Sequence, residues 1–380
     1  MYKSKVNLGI LGGGQLGRMM IEACIDFDVT VSVLDPDATC PCSHFCANFV
    51  CGDYNDFNTV YEFGKNLDVL TIEFENVNVD ALEKLESEGL KVYPQPSVLR
   101  IIQDKGLQKQ FYTKHEIPTA DYLLLDSLDG ESEEMFKKFL PFYQKLRKAG
   151  YDGKGVVRIE SESDFGKMFK AASVLEKNID FESEISVIVA RSASGEIKAY
   201  PVVDQQFNSE ANLVEFLYTP SRFSSEITSR AESLAIRIVE ELGIVGILAV
   251  EMFVLHDGTI FVNEIAPRAH NSGHSTIEAN VTSQFEQLLR AILGLPLGST
   301  KLVRCAVMVN LLGEKGYEGD VVYEGLEEAL QIPEVHVHLY GKLTTKPFRK
   351  MGHINICSDS LKDAMEKASM LKEKVRVLSK

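Results

Sequence analysis

The chain of 380 residues contains no tryptophan, and no apolar run approaches the roughly 20 residues that a membrane-spanning helix needs. We therefore expect no membrane span. Basic residues are also scarce, with 40 Lys and Arg against 55 Asp and Glu, so the net charge is −15. Because nucleic-acid phosphates are bound by basic faces, nucleic acid is not an expected partner.

Cysteine is infrequent, and its count of seven is odd. An odd count suits a reducing compartment better than a disulfide framework, so we expect a cytoplasmic protein. Four of the cysteines cluster with His44 between Cys40 and Cys51. Structural zinc sites usually have a second, distant pair of ligands, which is missing here. Small buried side chains are therefore the favoured interpretation, and a metal site is the alternative.

The length predicts two or three domains, and the first begins with a strand, a glycine turn, a helix and a second strand. The turn matches G-x-G-x-x-G through Gly12, Gly14 and Gly17, and Asp35 ends the second strand. A dinucleotide-binding fold shows this pattern, which makes an NAD-dependent dehydrogenase one hypothesis. The same loop can equally bind a ribose phosphate or no ligand.

A second glycine-rich loop, Gly150–Gly155, lies between predicted strands at Phe142–Leu146 and Val156–Ile159. It is not a Walker A loop, because no Gly-Lys-Ser/Thr follows it and the next element is a strand. With Lys154 in the loop and Lys145 on the preceding strand, it is typical of a lid over phosphates. A plain turn is the alternative.

A predicted hairpin around Asp257-Gly258 brings two carboxylates together. A two-residue turn at this dipeptide places Glu251 opposite Glu264, and Phe253 opposite Val262. It also puts Ile260 and Val262 on the face of the glutamates. Like charges in such apolar surroundings repel unless a proton or a cation intervenes, so we expect magnesium between them. A solvated pair at a frayed end is the alternative.

The segment that follows concentrates Arg268, His270 and Asn271 within four residues. A guanidinium, an imidazole and an amide suit an anionic acyl phosphate, although a solvated polar loop would look similar. Together with the lid and the carboxylates, they indicate an enzyme that uses ATP to activate a carboxylate.

These features resemble the ATP-grasp superfamily, and most closely its 5-(carboxyamino)imidazole ribonucleotide synthases. The stretches that carry the resemblance are Gly12–Arg18, Glu73–Asn76, Gly150–Gly155, Asn263–Arg268, His270–His274, Tyr340–Lys342 and Arg349–His353. The resemblance implies an α/β and α+β fold: a Rossmann-like domain (1–103), an ATP-grasp domain (104–298) and a small β-rich C-terminal domain (299–380). It also implies a homodimer that uses ATP and Mg²⁺ to carboxylate aminoimidazole ribonucleotide with bicarbonate in purine synthesis.

The resemblance also assigns roles to individual residues. ATP contacts fall on Lys105, Lys145, Gly150, Tyr151, Asp152, Gly153, Lys154, Gly155, Val156, Glu176, Lys177, Asn178, Ile179, Glu184, Phe207, Asn263 and Glu264. The metal ligands are Glu251 and Glu264. The ribonucleotide ligands are Gln15, Leu16, Glu73, Tyr151, Asp152, Lys342 and Arg349, and the catalytic residues are Arg268, His270, Asn271 and Asp152.

The chain departs from the family pattern at two of these positions. Val156 stands where relatives often carry glutamine, and Phe207 stands where a histidine is common. Another ATP-grasp ligase, such as a formate-dependent glycinamide ribonucleotide transformylase, is the nearest alternative function. A nucleotide-sensing protein without turnover is a further one.

Overall fold

The computed structural model describes residues 5–129, 132–148, 155–207 and 214–380. Its N-terminal part is a parallel five-stranded sheet in the order 3-2-1-4-5, covered by helices on both faces. This arrangement confirms the Rossmann-like prediction. The elements are β1 (Asn7–Leu11), α1 (Gln15–Ile25), β2 (Thr30–Asp35), β3 (Asn48–Cys51), α2 (Phe57–Gly64), β4 (Val69–Ile72), α3 (Val79–Ser87), β5 (Lys91–Val92) and α4 (Pro96–Ile102).

The central part opens with a small antiparallel sheet in the order β6-β9-β7-β8. Its elements are α5 (Lys105–Lys114), β6 (Tyr122–Leu125), α6 (Glu133–Phe139), β7 (Phe142–Leu146), β8 (Val156–Ile159), a 3₁₀ helix (Glu162–Lys167) and β9 (Ser173–Lys177). Strands β7 and β8 have the predicted bounds, and Lys145 pairs with Val156 beside the second glycine loop. Gly150, Tyr151, Asp152, Gly153 and Lys154 lie outside the described residues.

The rest of the central part contributes strands to a large antiparallel sheet. Its elements are β10 (Ser183–Arg191), β11 (Ile197–Ala199), β12 (Val203–Phe207), β13 (Val214–Thr219), α7 (Ser225–Leu242), β14 (Gly246–Val254), β15 (Ile260–Ala266), a 3₁₀ helix (Asn271–Gly273), α8 (Thr276–Ala279) and α9 (Gln284–Leu293). Apolar residues at helical spacing, followed by Gly243, predict a helix from Ser225 to Leu242, and α7 has these bounds. Ser224 caps its start, and Gly243 ends it at φ +61°. Helices α7 and α9 pack on opposite faces of the sheet.

The C-terminal part continues the same sheet and adds a small one of three strands. Its elements are β16 (Cys305–Leu312), β17 (Gly319–Glu324), α10 (Leu326–Leu330), β18 (Val335–Leu339), β19 (Thr344–Thr345), β20 (Lys350–Ser358), α11 (Leu361–Lys374) and β21 (Arg376–Ser379). The large sheet runs in the order β15-β14-β10-β12-β13-β16-β20-β18, and β11 pairs with β10. The domain boundaries at 103 and 298 stay predictions. None of the described helices is both long and apolar enough to cross a membrane.

The turn of the β14–β15 hairpin differs from the predicted one, but Glu251 still lies opposite Glu264. Leu255 N–H donates to the Thr259 carbonyl, so the loop has three residues and not two, with Gly258 at φ +78°. Phe253 therefore faces Phe261 and not Val262. A bulge then adds one residue to β15, and the shifted register places Glu251 opposite Glu264.

The same shift corrects the predicted faces of the hairpin. Ile260 and Val262 pair with Val254 and Met252 in the buried core, on the side away from Glu251. The turn prediction was therefore wrong, whereas the predicted pairing of the carboxylates was right.

Asp104 links the start of α5 to β7. Its carboxylate accepts hydrogen bonds from the N–H groups of Gly106 and Leu107, and so caps the helix. It also pairs with Arg147 through two contacts of 2.8 and 2.9 Å. Because Lys105 is the next residue, this cap fixes where the Lys105 side chain begins.

We expect Asp104→Ala to lower the free energy of unfolding by about 2–4 kcal/mol, since it removes the cap and leaves a partly buried guanidinium without its carboxylate. Asp104→Asn keeps a capping oxygen and should cost less. Urea unfolding followed by circular dichroism measures both changes. A loss below about 0.5 kcal/mol for the alanine variant would contradict this account.

Candidate active site

A cleft of about 390 Å³ lies where the three parts of the chain meet. The N-terminal part lines it with Gln15, Leu16 and the segment Glu73–Asn76. The C-terminal part contributes Lys350. The central part supplies most of the wall, including Lys105, Val156, Gln205, Phe207, Glu251, Glu264, Arg268, His270 and Asn271. Many residues predicted from distant stretches of sequence are thus brought together.

The paired carboxylates of Glu251 and Glu264 differ in their surroundings. Burial, and then the charge of Glu264, raise the pKa of Glu251, whose Oε1 accepts a 3.1 Å hydrogen bond from Gln205. Lys105 Nζ lies 3.0 Å from Glu264 Oε2, and its charge lowers the pKa of Glu264 in spite of burial. The Glu264 side chain remains 46% exposed, so it can reach a ligand in the cleft.

This pair suits a hard cation that takes its other ligands from elsewhere. Among the described residues, no three His, Cys, Asp or Glu side chains converge as a metal site. Two carboxylates alone cannot fill the six positions that magnesium prefers, so phosphate oxygens and water would complete the shell.

Behind the cleft, one buried carboxylate is shared by two lysines. Glu176 Oε2 lies 2.9 Å from Lys145 Nζ, and Oε1 lies 3.5 Å from Lys109 Nζ. Burial alone would raise the pKa of Glu176, but the positive charges of Lys145 and Lys109 outweigh it and lower the pKa. Lys145 also donates to Asn263 Oδ1 at 3.3 Å. Lys145, which the sequence predicts to bind phosphate, is thus held by Glu176 and Asn263.

The loop after β15 carries three of the predicted catalytic residues, Arg268, His270 and Asn271. Both nitrogens of one side of the Arg268 guanidinium, Nε and Nη2, donate to the Glu75 carboxylate. His270 Nε2 lies 3.8 Å from Glu251 Oε1. Burial, and then the charges of Arg268 and Lys350, lower the pKa of His270 to about 3, so its imidazole is neutral.

The first glycine loop closes around a carboxylate of the same chain. Glu73 accepts a hydrogen bond from the Gly14 N–H, and a Cβ on Gly14 would lie 2.2 Å from Glu73 Oε1. Burial raises the pKa of Glu73 to about 7. In a dinucleotide-binding loop this space receives a pyrophosphate, so the Glu73 carboxylate disfavours the dehydrogenase hypothesis.

Two of the clustered cysteines pack behind this loop. Cys40 and Cys42 are buried, and the Cys42 N–H donates to the Gly13 carbonyl at 3.0 Å. A Cβ on Gly13 would lie 2.4 Å from Cys40 Sγ. Burial raises the pKa of Cys40 to about 11, which keeps the thiol protonated. These contacts favour the interpretation as small packing residues.

Some predicted ligands lie away from the cleft wall. Lys342 Nζ donates to the Lys350 carbonyl at 2.7 Å, and Arg349 Nη1 donates to the Thr344 carbonyl at 2.8 Å. Lys177 Nζ donates to the carbonyls of Phe139 and Leu140, so it braces the segment after α6.

The site also contains residues to which no role was assigned from the sequence: Glu75, Lys109, Gln205 and Lys350. Glu75 and Lys350 lay inside stretches already singled out. Lys109 carried a signal of its own, because it follows Lys105 by one helical turn and so shares its face of α5.

Comparisons with known proteins cover most of the chain. The ribonucleotide synthetase preATP-grasp domain matches residues 5–103, the ATP-grasp domain matches 110–285, and the phosphoribosylaminoimidazole carboxylase C-terminal domain matches 306–367. The N5-carboxyaminoimidazole ribonucleotide synthase of Bacillus subtilis is 38% identical over 91% of this chain and 90% of its own length. The Brucella melitensis synthase is 37% identical over 91% and 95%. The chain belongs to the N5-carboxyaminoimidazole ribonucleotide synthase family.

Other relatives and solved structures agree with this placement. The chain spans 67% of the phosphoribosylaminoimidazole carboxylase of Vigna aconitifolia, at 38% identity over 97% of this chain. The Thermotoga maritima synthetase superposes with a TM-score of 0.90, at 42% identity over 99% of this chain and 100% of that one. The Aspergillus clavatus synthase, solved with ADP and 5-aminoimidazole ribonucleotide, has a TM-score of 0.88 at 32% identity over 98% and 99%. The chain is therefore an ATP-grasp enzyme of the ligase type, and the predicted three-part fold is confirmed.

Glu184 provides a test of the electrostatics of this family member. Burial, and then the charges of Glu251 and Glu264, raise its pKa from 4.5 to about 8. Between these pH values the folded chain holds a proton that the unfolded chain releases, so stability should fall as pH rises from about 4.5 to about 8.

We expect Glu184→Gln to abolish this part of the pH dependence, because the amide has no proton to lose. Its melting temperature should exceed that of the wild type at pH 8, and the two should converge near pH 5. The exposed neighbour Glu182 offers the matched control, Glu182→Gln. If the melting temperatures of wild type and Glu184→Gln change with pH in parallel, the pKa of the Glu184 carboxyl is not raised in the folded chain.

Proposed function

We propose that the chain carboxylates 5-aminoimidazole ribonucleotide with bicarbonate, converts ATP to ADP and phosphate, and acts in purine nucleotide synthesis. The observation that carries this proposal is the cleft itself. It joins the Glu73 loop of the N-terminal part to the lysines, carboxylates and Arg268 loop of the central part. The names of the related synthases and the ligands of the Aspergillus structure support the same substrates.

In the proposed reaction, a bicarbonate oxygen attacks the γ-phosphorus of ATP, the bond to the bridging oxygen breaks, and ADP leaves. Lys105 and Lys145 balance the negative charge of the transferring group. Arg268 offers planar N–H donors for the carboxyphosphate formed, and neutral His270 and Asn271 complete the polar wall. The ribonucleotide amine then takes the carboxyl group, and phosphate is released.

The ATP contacts are proposed on the family resemblance. Glu184 would meet the ribose, and the main chain of Glu176–Ile179 would meet the adenine. Val156 and Phe207 line the cleft, and Asn263 accepts a hydrogen bond from Lys145, so all three are proposed as further ATP contacts. The loop Gly150–Gly155, with Tyr151 and Asp152, is proposed to cover the phosphates and the ribonucleotide.

Magnesium is proposed to bind between Glu251 and Glu264, whose apposition fits a cation that also binds phosphate oxygens. When bound, it would neutralise charge on the phosphoryl oxygens. Lys105 would then share Glu264 with the metal, since almost half of that side chain faces the cleft.

The ribonucleotide is proposed to lie against Gln15, Leu16 and Glu73, with its 5′-phosphate held by Lys342 and Arg349. A Cβ on Gly341 would lie 2.4 Å from Arg18 Nη1, so the segment beside Lys342 adjoins helix α1. This adjacency supports a phosphate site shared by the N- and C-terminal parts. A homodimeric, cytoplasmic enzyme is also proposed, on the family resemblance and the odd cysteine count.

Release of ADP should require both aminoimidazole ribonucleotide and bicarbonate for its full rate. A coupled ADP assay on a panel of amines and carboxylates measures this requirement. Faster turnover with glycinamide ribonucleotide and formate would reassign the chain to a transformylase.

Glu264→Gln should lower kcat by about 100-fold or more, equivalent to about 3 kcal/mol of barrier, because a metal-borne charge is lost. Glu251→Gln should act in the same direction and raise the magnesium concentration needed for half-maximal rate. Circular dichroism confirms that each variant is folded. If either folded variant keeps a wild-type kcat and magnesium dependence, that residue is not a metal ligand.

A further inference from the structure

Lys109 is buried beneath the cleft and takes no part in the mechanism above. Its side chain is 3% exposed, whereas those of Lys105 and Lys145 are 20% and 15% exposed. Its Nζ lies 2.7 Å from Thr119 Oγ1 and 3.5 Å from Glu176 Oε1. Burial lowers the pKa of Lys109 to about 8, so the ammonium form still dominates at pH 7. Lys109 is thus a charged group that cannot itself reach a ligand.

Thr119 explains why Lys109 stays in place. Its hydroxyl donates to the Val262 carbonyl at 2.8 Å and accepts from Lys109. Val262 precedes the bulge that presents Asn263 and Glu264. Lys109 is therefore fixed to both α5 and β15 and cannot follow a movement of Lys145.

Lys145 has two competing partners in this arrangement. It lies 2.9 Å from Glu176, but under the proposed function it must turn towards the phosphates of ATP. A buried carboxylate that loses its cation becomes an uncompensated charge, which strongly opposes such a movement. The second oxygen of Glu176 already faces Lys109, so a cation would remain there.

We propose that Lys109 is a positioning residue that holds the charge of Glu176, so that Lys145 can exchange this carboxylate for a phosphate of ATP. The proposal rests on the proposed function, because it assumes that Lys145 binds ATP. It adds a role for a lysine outside the cleft wall, which acts through Glu176 without touching the nucleotide.

Lys109→Met leaves Lys145 as the nearest cation to Glu176, so Lys145 should be retained there. We expect a non-hydrolysable ATP analogue with magnesium to bind about tenfold or more weakly in isothermal titration calorimetry. The matched control is Lys198→Met. Lys198 likewise lies between a carboxylate and a hydrogen-bond acceptor, 3.1 Å from Glu196 and 2.8 Å from the Leu297 carbonyl, but its side chain is 34% exposed. Its loss should leave the affinity unchanged. Wild-type affinity for Lys109→Met would overturn the proposal.

The decisive variant is the double substitution Lys109→Met with Glu176→Gln. Without a carboxylate at position 176, Lys145 needs no substitute partner, so the affinity should recover most of its loss. If Lys109 served only in packing, the losses of affinity caused by the two substitutions would add or exceed their sum. Additive losses would therefore overturn the proposal.

Glu176→Gln alone keeps the test open if Lys109→Met does not fold. The substitution leaves unchanged the main chain that is proposed to meet the adenine, but it removes the carboxylate that holds Lys145. The variant should therefore bind the analogue more tightly than the wild type, and unchanged or weaker binding would contradict the proposal. Lys145→Met separates this inference from the proposed function. If the wild type does not bind the analogue, or Lys145→Met does not weaken binding, both fail. If Lys145→Met weakens binding and Lys109→Met does not, the inference alone fails.

Discussion

Balance between buried carboxylates and lysines is the constraint on which the centre of this structure depends. Glu176 lies in a water-poor interior, where its charge requires a nearby cation, and Glu264 lies on the wall of the cleft, paired with Lys105. Lys105 and Lys109 on α5 and Lys145 on β7 supply these charges. The ion pairs therefore connect helix α5 with strands β7 and β9 of the small sheet and strand β15 of the large sheet. Under the proposed function, ATP and a divalent cation would add their charges to this balance.

The sequence predicted the main elements well where local pattern decides them. Strands β7 and β8 and helix α7 have the expected bounds, because apolar spacing and capping residues act over one or two turns. The hairpin between β14 and β15 was harder. Asp257-Gly258 suits a two-residue turn, and nothing in the alternation of residues near Asn263 reveals a bulge. The longer loop shifts the register by one residue and the bulge shifts it back, so Glu251 and Glu264 pair as predicted although the predicted turn was wrong.

The candidate site could be predicted only in part, since many of its contacts join distant stretches of chain. The Arg268–Glu75 pair spans 193 residues, and no local pattern could reveal it. Lys350 was visible as part of a motif, but its place on the cleft wall follows from the path of β20. The Glu73 carboxylate explains the glycines of the first loop, whose spacing alone was compatible with a dinucleotide, a ribose phosphate or no ligand.

The large sheet continues without a break from β13 of the central part to β16 of the C-terminal part, and this limits where the chain can be cut into fragments. Tyr218 pairs with Val307 across this junction, so the C-terminal strands are hydrogen-bonded to those of the central part. A fragment cut between them would expose the backbone N–H and carbonyl groups of β13 as a new sheet edge, which invites pairing with other chains. The C-terminal part is therefore poorly suited to exchange as an independent module, and chimaeras between relatives should join within loops that lie outside this sheet.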